Sequence, residues 1–305
     1  PPGFGQHVWG VFSMSGTRVA LTDAFGRLEV SDTRGGKAKM LREAGPAIAA
    51  LRWASNDTRL IAFHYDLFCT TWDPATGKVV ASFQAQGPAI VGEDRWTAGV
   101  SIHPAGASVV VSDQLGTLAC YDTASGKVNW QTRFARSRVV HTPDGRHFLV
   151  QDRSDPGTRA RLYDAATGAP VRELPFRITA KTGMDAPFVY SPDGKYLVTA
   201  DAVDFMIRFL EPDTGKVVHA FRAPRRSAAE AFAVSPDGST VAVGCENGLL
   251  RTYAVATGQL LSERPAHRSM VTAVRYSSDG RSILTCSDDL TALLWDATPA
   301  PSPKR

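Results

Sequence analysis

Short apolar runs punctuated by turn residues make up most of this chain. RLIAFH (59–64), SVVVSD (108–113), YLVTAD (196–201) and TVAVGC (240–245) are rich in β-branched residues and are flanked by Gly, Pro, Asp or Ser. Continuous apolar runs of this length predict central strands covered on both faces, whereas an exposed sheet face would impose strict alternation. No helical periodicity competes with them, so the pattern predicts an all-β chain.

The runs recur in a fixed order. VYSPDGKYLVTADAVDFMIRFLEPDTGKVV from Val189, AVSPDGSTVAVGCENGLLRTYAVATGQLL from Ala233 and VRYSSDGRSILTCSDDLTALLWDATP from Val274 each read as strand, Asp-Gly turn, strand, short turn, strand. Four weaker copies carry their first turn at SMSG (13–16), ASND (54–57), HPAG (103–106) and TPDG (142–145). The turns therefore close at residues 16, 57, 106, 145, 194, 238 and 280, in steps of 41, 49, 39, 49, 44 and 42. A second turn runs in phase with the first. WDPATGK (72–78), YDTASGK (121–127), YDAATGA (163–169), EPDTGK (211–216) and AVATGQ (254–259) each place a Gly where the backbone needs positive φ before a new β-branched run. A period near 40–45 with several strands per unit is that of propeller blades. Stacking such blades around an axis buries both faces of every sheet.

The expected fold is thus a seven-bladed β-propeller of four-stranded antiparallel blades, at roughly 7–42, 47–84, 98–132, 137–174, 187–222, 230–263 and 270–299. A linker remnant at 1–6 and a Pro-rich tail at 300–305 flank it. The last blade lacks an outer strand, because LLWDATPAPSPKR follows its third strand with prolines that cannot join a ladder. The expectation from this gap is that the chain is the C-terminal module of a longer protein whose missing segment closes the ring.

The final repeat resembles a WD (Trp-Asp) repeat. In HRSMVTAVRYSSDGRSILTCSDDLTALLWD (267–296) the resemblance implies a buried structural tetrad of His267, Thr285, Asp289 and Trp295. Such a set is tolerated inside a protein only when every member is hydrogen-bonded. The other copies depart from the pattern: the second keeps Asp66 and Trp72 but has Ala62 at the Ser/Thr position, and the fifth keeps only Asp204. The chain is accordingly identified as a degenerate WD-repeat propeller, and its alanine- and arginine-rich, lysine-poor composition suggests a bacterial type. One stretch, ACYDTASGKVNW (119–130), is instead similar to the docking motif of quinoprotein repeats, in which the Trp packs between blades.

Catalytic signatures are absent from the sequence: there is no G-x-S-x-G, H-E-x-x-H, P-loop or G-x-G-x-x-G between strand and helix. The four cysteines are far apart and lie in apolar runs, as small buried hydrophobes in a reducing, cytoplasmic setting would. The seven histidines show no metal spacing, so no cofactor and no metal is expected. A net charge of +4 is too small and too scattered for a dedicated nucleic-acid binder. No apolar run approaches the ~20 residues of a membrane helix.

Function is therefore expected at the loops. The connections from each outer strand to the next blade carry an excess of arginine, while the turns between second and third strands on the same face are acidic. Trp96 in the long loop 85–97, with Arg133, Arg136, Arg138, Arg177, Lys181, Arg225 and Arg226, forms the candidate surface for an acidic protein or peptide. The expected activity is that of a monomeric, non-catalytic protein-interaction scaffold. The alternative is a propeller enzyme or quinoprotein-like module with a site in the axial channel, against which the innermost strands read mostly small or apolar, with Arg52 and Arg275 the exceptions.

Overall fold

A computed structural model describes residues 9–35, 37–85, 99–113, 116–134, 137–152, 159–177, 188–200, 206–222 and 229–297. These residues form seven antiparallel sheets, each ordered as its strands follow in the chain. Blade one comprises β1 (Trp9–Phe12), β2 (Arg18–Thr22), β3 (Leu28–Asp32) and β4 (Lys39–Arg42). Blade two comprises β5 (Ile48–Ala54), β6 (Arg59–His64), β7 (Phe68–Asp73) and β8 (Lys78–Gln84). Blade three holds β9 (Gly99–Ile102), β10 (Ser108–Ser112), β11 (Thr117–Asp122) and β12 (Val128–Arg133), and blade four β13 (Ser137–His141), β14 (His147–Asp152), β15 (Arg159–Asp164) and β16 (Pro170–Arg177). Blade five holds β17 (Phe188–Tyr190), β18 (Leu197–Ala200), β19 (Met206–Leu210) and β20 (Val217–Arg222), and blade six β21 (Ala229–Val234), β22 (Thr240–Cys245), β23 (Leu249–Ala254) and β24 (Leu260–Pro265). Blade seven has three strands among the described residues, β25 (Val271–Tyr276), β26 (Ser282–Ser287) and β27 (Ala292–Asp296). No helix among the described residues is long and apolar enough to cross a membrane.

Two turn types fold these blades. In the first, the Ser191 hydroxyl donates to Asp193 at 2.6 Å and accepts the Tyr196 amide at 2.9 Å, while Asp193 accepts the Lys195 amide. Ser235 with Asp237, Ser277 with Asp279 and Thr142 with Asp144 repeat this arrangement. The hydroxyl satisfies a backbone donor that the hairpin leaves over, which is why Ser or Thr opens the turn and Asp sits two residues on. In the second, Asp164 accepts the amides of Ala166 and Thr167 and the Thr167 hydroxyl, and Asp122 does the same with Ala124 and Ser125. Both turns lie at one end of the blades. The turns between second and third strands and the blade-to-blade connections lie at the other.

The core is divided among the interfaces between blades. Trp53, Leu60 and Trp72 of blade two pack on Ala20, Leu28 and Val30 of blade one, and comparable apolar clusters occupy each later interface. The seam between blades seven and one is closed by Val19, Ala273, Leu284 and Cys286, with Trp9 and Phe12 against them. Each central strand is therefore buried on both faces, as the uninterrupted apolar runs require. All four cysteines are buried free thiols.

Candidate functional site

The residues nominated for the structural tetrad come together in blade seven. Trp295 Nε1 donates to Thr285 Oγ1 at 2.8 Å, and Thr285 Oγ1 lies 2.7 Å from His267 Nε2. His267 Nδ1 faces Thr291 Oγ1 at 2.8 Å and Asp289 Oδ1 at 3.3 Å. Asp289 also accepts the Arg268 and Thr291 amides and the Thr291 hydroxyl. Burial lowers the His267 pKa against the opposing pull of Asp289. The ring is therefore neutral at pH 7, with its proton on Nδ1 and Nε2 accepting from Thr285, the only tautomer that satisfies the whole chain. The donors around Asp289 outweigh its desolvation and hold it at about 2. This set ties the turn of its own blade to the strands on either side.

Blade two lacks the equivalent. Among the described residues Asp66 accepts the Phe68 amide alone, at 3.3 Å, and the nearby His64 is bonded by Arg42 Nη1 of the preceding blade at 2.7 Å.

A second device joins blades. Trp130 on β12 stacks on Phe148 of blade four with centroids 5.5 Å apart, and its Nε1 donates to the Ala165 carbonyl at 3.1 Å. Its ring covers Gly168 in the second turn of blade four, where a Cβ would lie 2.5 Å away. Phe83 and Phe221 cover Gly126 and Gly258 of their following blades in the same manner, without the hydrogen bond. Trp130 thus docks between blades as the quinoprotein-type motif implies, and Phe83 and Phe221, two ladder positions further along their strands, cover the corresponding glycines of the next blades.

Of the residues nominated for partner binding, Arg133 is exposed at the end of β12, and Arg138 on β13 lies over the Phe188 ring at 4.6 Å. Arg177 ends β16. Trp96, Arg136, Lys181, Arg225 and Arg226 lie outside the described residues.

A polar site lies elsewhere, in the axial channel at the face of the Ser-x-Asp-Gly turns, where Arg275 is half-buried and Arg52 exposed. A cavity of about 500 Å³ is lined by the inner strands and first turns of blades one, two, five, six and seven. Among the described residues its wall carries Phe12, Trp53, Tyr190 and Tyr276 together with Arg52 and Arg275, and no carboxylate. Arg52 pairs with Ile61 across its hairpin and Arg275 with Leu284, so both occupy one register position, two residues before the turn. The other five blades put Val11, Ser101, Val140, Val189 and Ala233 there. Arg52 Nε donates to the Pro104 carbonyl at 3.2 Å and Arg275 Nη1 to the Val274 carbonyl at 2.8 Å. Enclosure lowers the pKa of both guanidiniums, and at Arg52 the charge of Arg275 adds to the effect. Among the described residues no cluster of His, Cys, Asp or Glu is placed to hold a metal ion.

The closed ring, the WD-type tetrad and the docked Trp define a repeat β-propeller. Residues 69–282 match the PQQ_2 family model, described as outer membrane protein assembly factor BamB, and the chain belongs to that family. It is also similar to WD-repeat propellers. It is 39% identical over 64 residues to the pre-rRNA-processing protein IPI3 of Mycosarcoma maydis, a match covering 21% of this chain and 11% of that protein. It is 35% identical over 95 residues to the COMPASS component SWD1 of Saccharomyces cerevisiae, covering 29% of this chain and 21% of the other. The chain thus spans only a small part of these relatives. The crystal structure of the Myceliophteria thermophila Cps50 (Swd1) β-propeller domain superposes with a TM-score of 0.77 at 16% identity, over 97% of this chain and 98% of that one, which shows the shared fold. Both matched relatives are eukaryotic, and the bacterial type suggested by the composition finds no support in them.

Proposed function

We propose that this propeller is a non-catalytic protein-interaction scaffold, docking an acidic protein or peptide on the face that carries the blade-to-blade connections. The observation that carries this reading is the ring itself: interlocked turns, inter-blade aromatics and a packed seam hold the strand ends in place. Function then falls to the loops that the rigid frame presents. Arg138, oriented by the Phe188 ring, and the exposed Arg133 are two cations that this frame positions. The similarity to SWD1, by name a component of COMPASS, points the same way.

The test is affinity capture from native lysate with quantitative mass spectrometry, comparing the parent chain with Arg133→Glu/Arg136→Glu and with Trp96→Ala. The expected outcome is loss of the same captured protein from both variants at an unchanged melting temperature. Undiminished capture by both variants moves the site off this face.

A further inference from the structure

Arg52 and Arg275 have no role in the scaffold reading, nor does the fold need them, since five blades place small or apolar residues at the same register position. Two like charges share one cavity, with no carboxylate among the described residues of its wall. Each guanidinium spends one donor on a backbone carbonyl, and most of its hydrogen-bonding capacity is left over.

The carboxylates of the surrounding rim make their hydrogen bonds within and between the turns, not to the two guanidiniums. Asp193 is bridged by Lys195 at 3.1 Å and by the Ser191 hydroxyl. Asp279 is bonded to Ser277 and to the Arg281 amide. Asp237 accepts from Ser235 and Ser239, and Asp57 from the Met14 and Ser15 amides of blade one. The turn carboxylates thus hold the rim together, and among the described residues none of them is bonded to Arg52 or Arg275. Like charges that line one cavity repel each other, as the effect of Arg275 on Arg52 shows, and a bound anion relieves that repulsion while accepting hydrogen bonds from both.

The geometry points to an anion site: the axial cavity takes a small organic dianion, a dicarboxylate or phosphate monoester, whose acidic oxygens bridge Arg52 and Arg275 while its body lies against Tyr190, Tyr276, Phe12 and Trp53. A volume of about 500 Å³ with an aromatic wall and a few convergent polar groups is that of a small-molecule pocket. This site is distinct from the loop face proposed for protein docking, since it opens among the first turns at the opposite end of the blades.

The experiment is isothermal titration of the chain with succinate, inorganic phosphate, phenyl phosphate and a hexaglutamate peptide, with chloride at matched ionic strength as control. Saturable binding of succinate or phenyl phosphate is expected. Arg52→Gln and Arg275→Gln should each weaken it at least tenfold, whereas Arg281→Gln on the rim should leave it unchanged. Inorganic phosphate binding as tightly as phenyl phosphate would remove the aromatic wall from the assignment and overturn the organic-ligand class. Binding of hexaglutamate alone, an effect matched by chloride, or affinity retained in the Arg52→Gln/Arg275→Gln double variant overturns the site. Removing one of two repelling cations should also raise the melting temperature of the ligand-free chain in either single variant, and a folded variant that melts lower contradicts the repulsion between them.

Discussion

Asp289 and Asp66 occupy the same position in two repeats, yet their surroundings differ enough to set opposite expectations. Asp289 accepts two amides and the Thr291 hydroxyl, and it faces the His267 ring. Asp66 accepts one long bond from Phe68. Asp289→Ala should therefore cost about 2 kcal/mol, because it strands donors that have no other acceptor, while Asp66→Ala should stay within ~0.5 kcal/mol. Denaturant midpoints measure the difference, and equal shifts would remove the tetrad from the account of stability. Gly168 makes a comparable case in the backbone. Its φ is +69°, and any side chain would enter the space of the Trp130 ring. Gly168→Ala should destabilise by roughly 2 kcal/mol through strain and displacement of the indole, readable as a change in Trp fluorescence alongside a lower melting temperature. The tetrad was legible in the sequence because its four residue types stand at fixed places in one repeat. The partner of His64 was not, because Arg42 reaches it from the neighbouring blade.

At the scale of the element, the blades follow from two turn sequences. S-P-D-G and D-x-A-T-G are each nearly self-contained, since the side chain that satisfies the backbone lies within five residues of it. Local chemistry of that kind survives translation from sequence to structure, and strand number and order were legible for the same reason. Strand ends were less so: β16 runs to Arg177 and β24 to Pro265, past the apolar residues that suggested an earlier stop, because ladder bonds to the third strand continue irrespective of side-chain polarity. The inter-blade docking was half legible. Trp130 stood out by its motif, but the shared role of Phe83 and Phe221, at a different ladder position, emerges only when all three are seen over the glycine of the following blade.

For the whole molecule, buried imidazoles set the response to acid. Burial with the nearby Arg42 charge pushes His64 down to about 4, and burial with His103 and Arg52 pushes His141 down to about 3. Both rings are protonated in the unfolded chain near the ordinary value of 6.5, so between there and pH 4 the unfolded state binds more protons. Stability is then full above pH 6.5 and is lost as pH falls, by ~1.4 kcal/mol per pH unit for each ring. Thermal melts between pH 7 and 4.5 should show this decline, and His64→Gln/His141→Gln should flatten it; an unchanged slope would assign acid sensitivity to other groups. The axial arginines were visible in the sequence as exceptions among apolar inner strands. What the sequence could not convey was that, among the described residues, no carboxylate from another blade bonds to them, a property of the assembled ring.

The seam between blades seven and one has a kinetic meaning. Every other interface joins blades adjacent in the chain, whereas this one brings Val19 against Leu284 across nearly the full sequence. It is the contact of greatest sequence separation, and it can form only when the intervening blades have already set the curvature of the ring. Refolding should therefore proceed blade by blade through open arcs, with the circle closing last, and unfolding should begin by parting the two terminal blades.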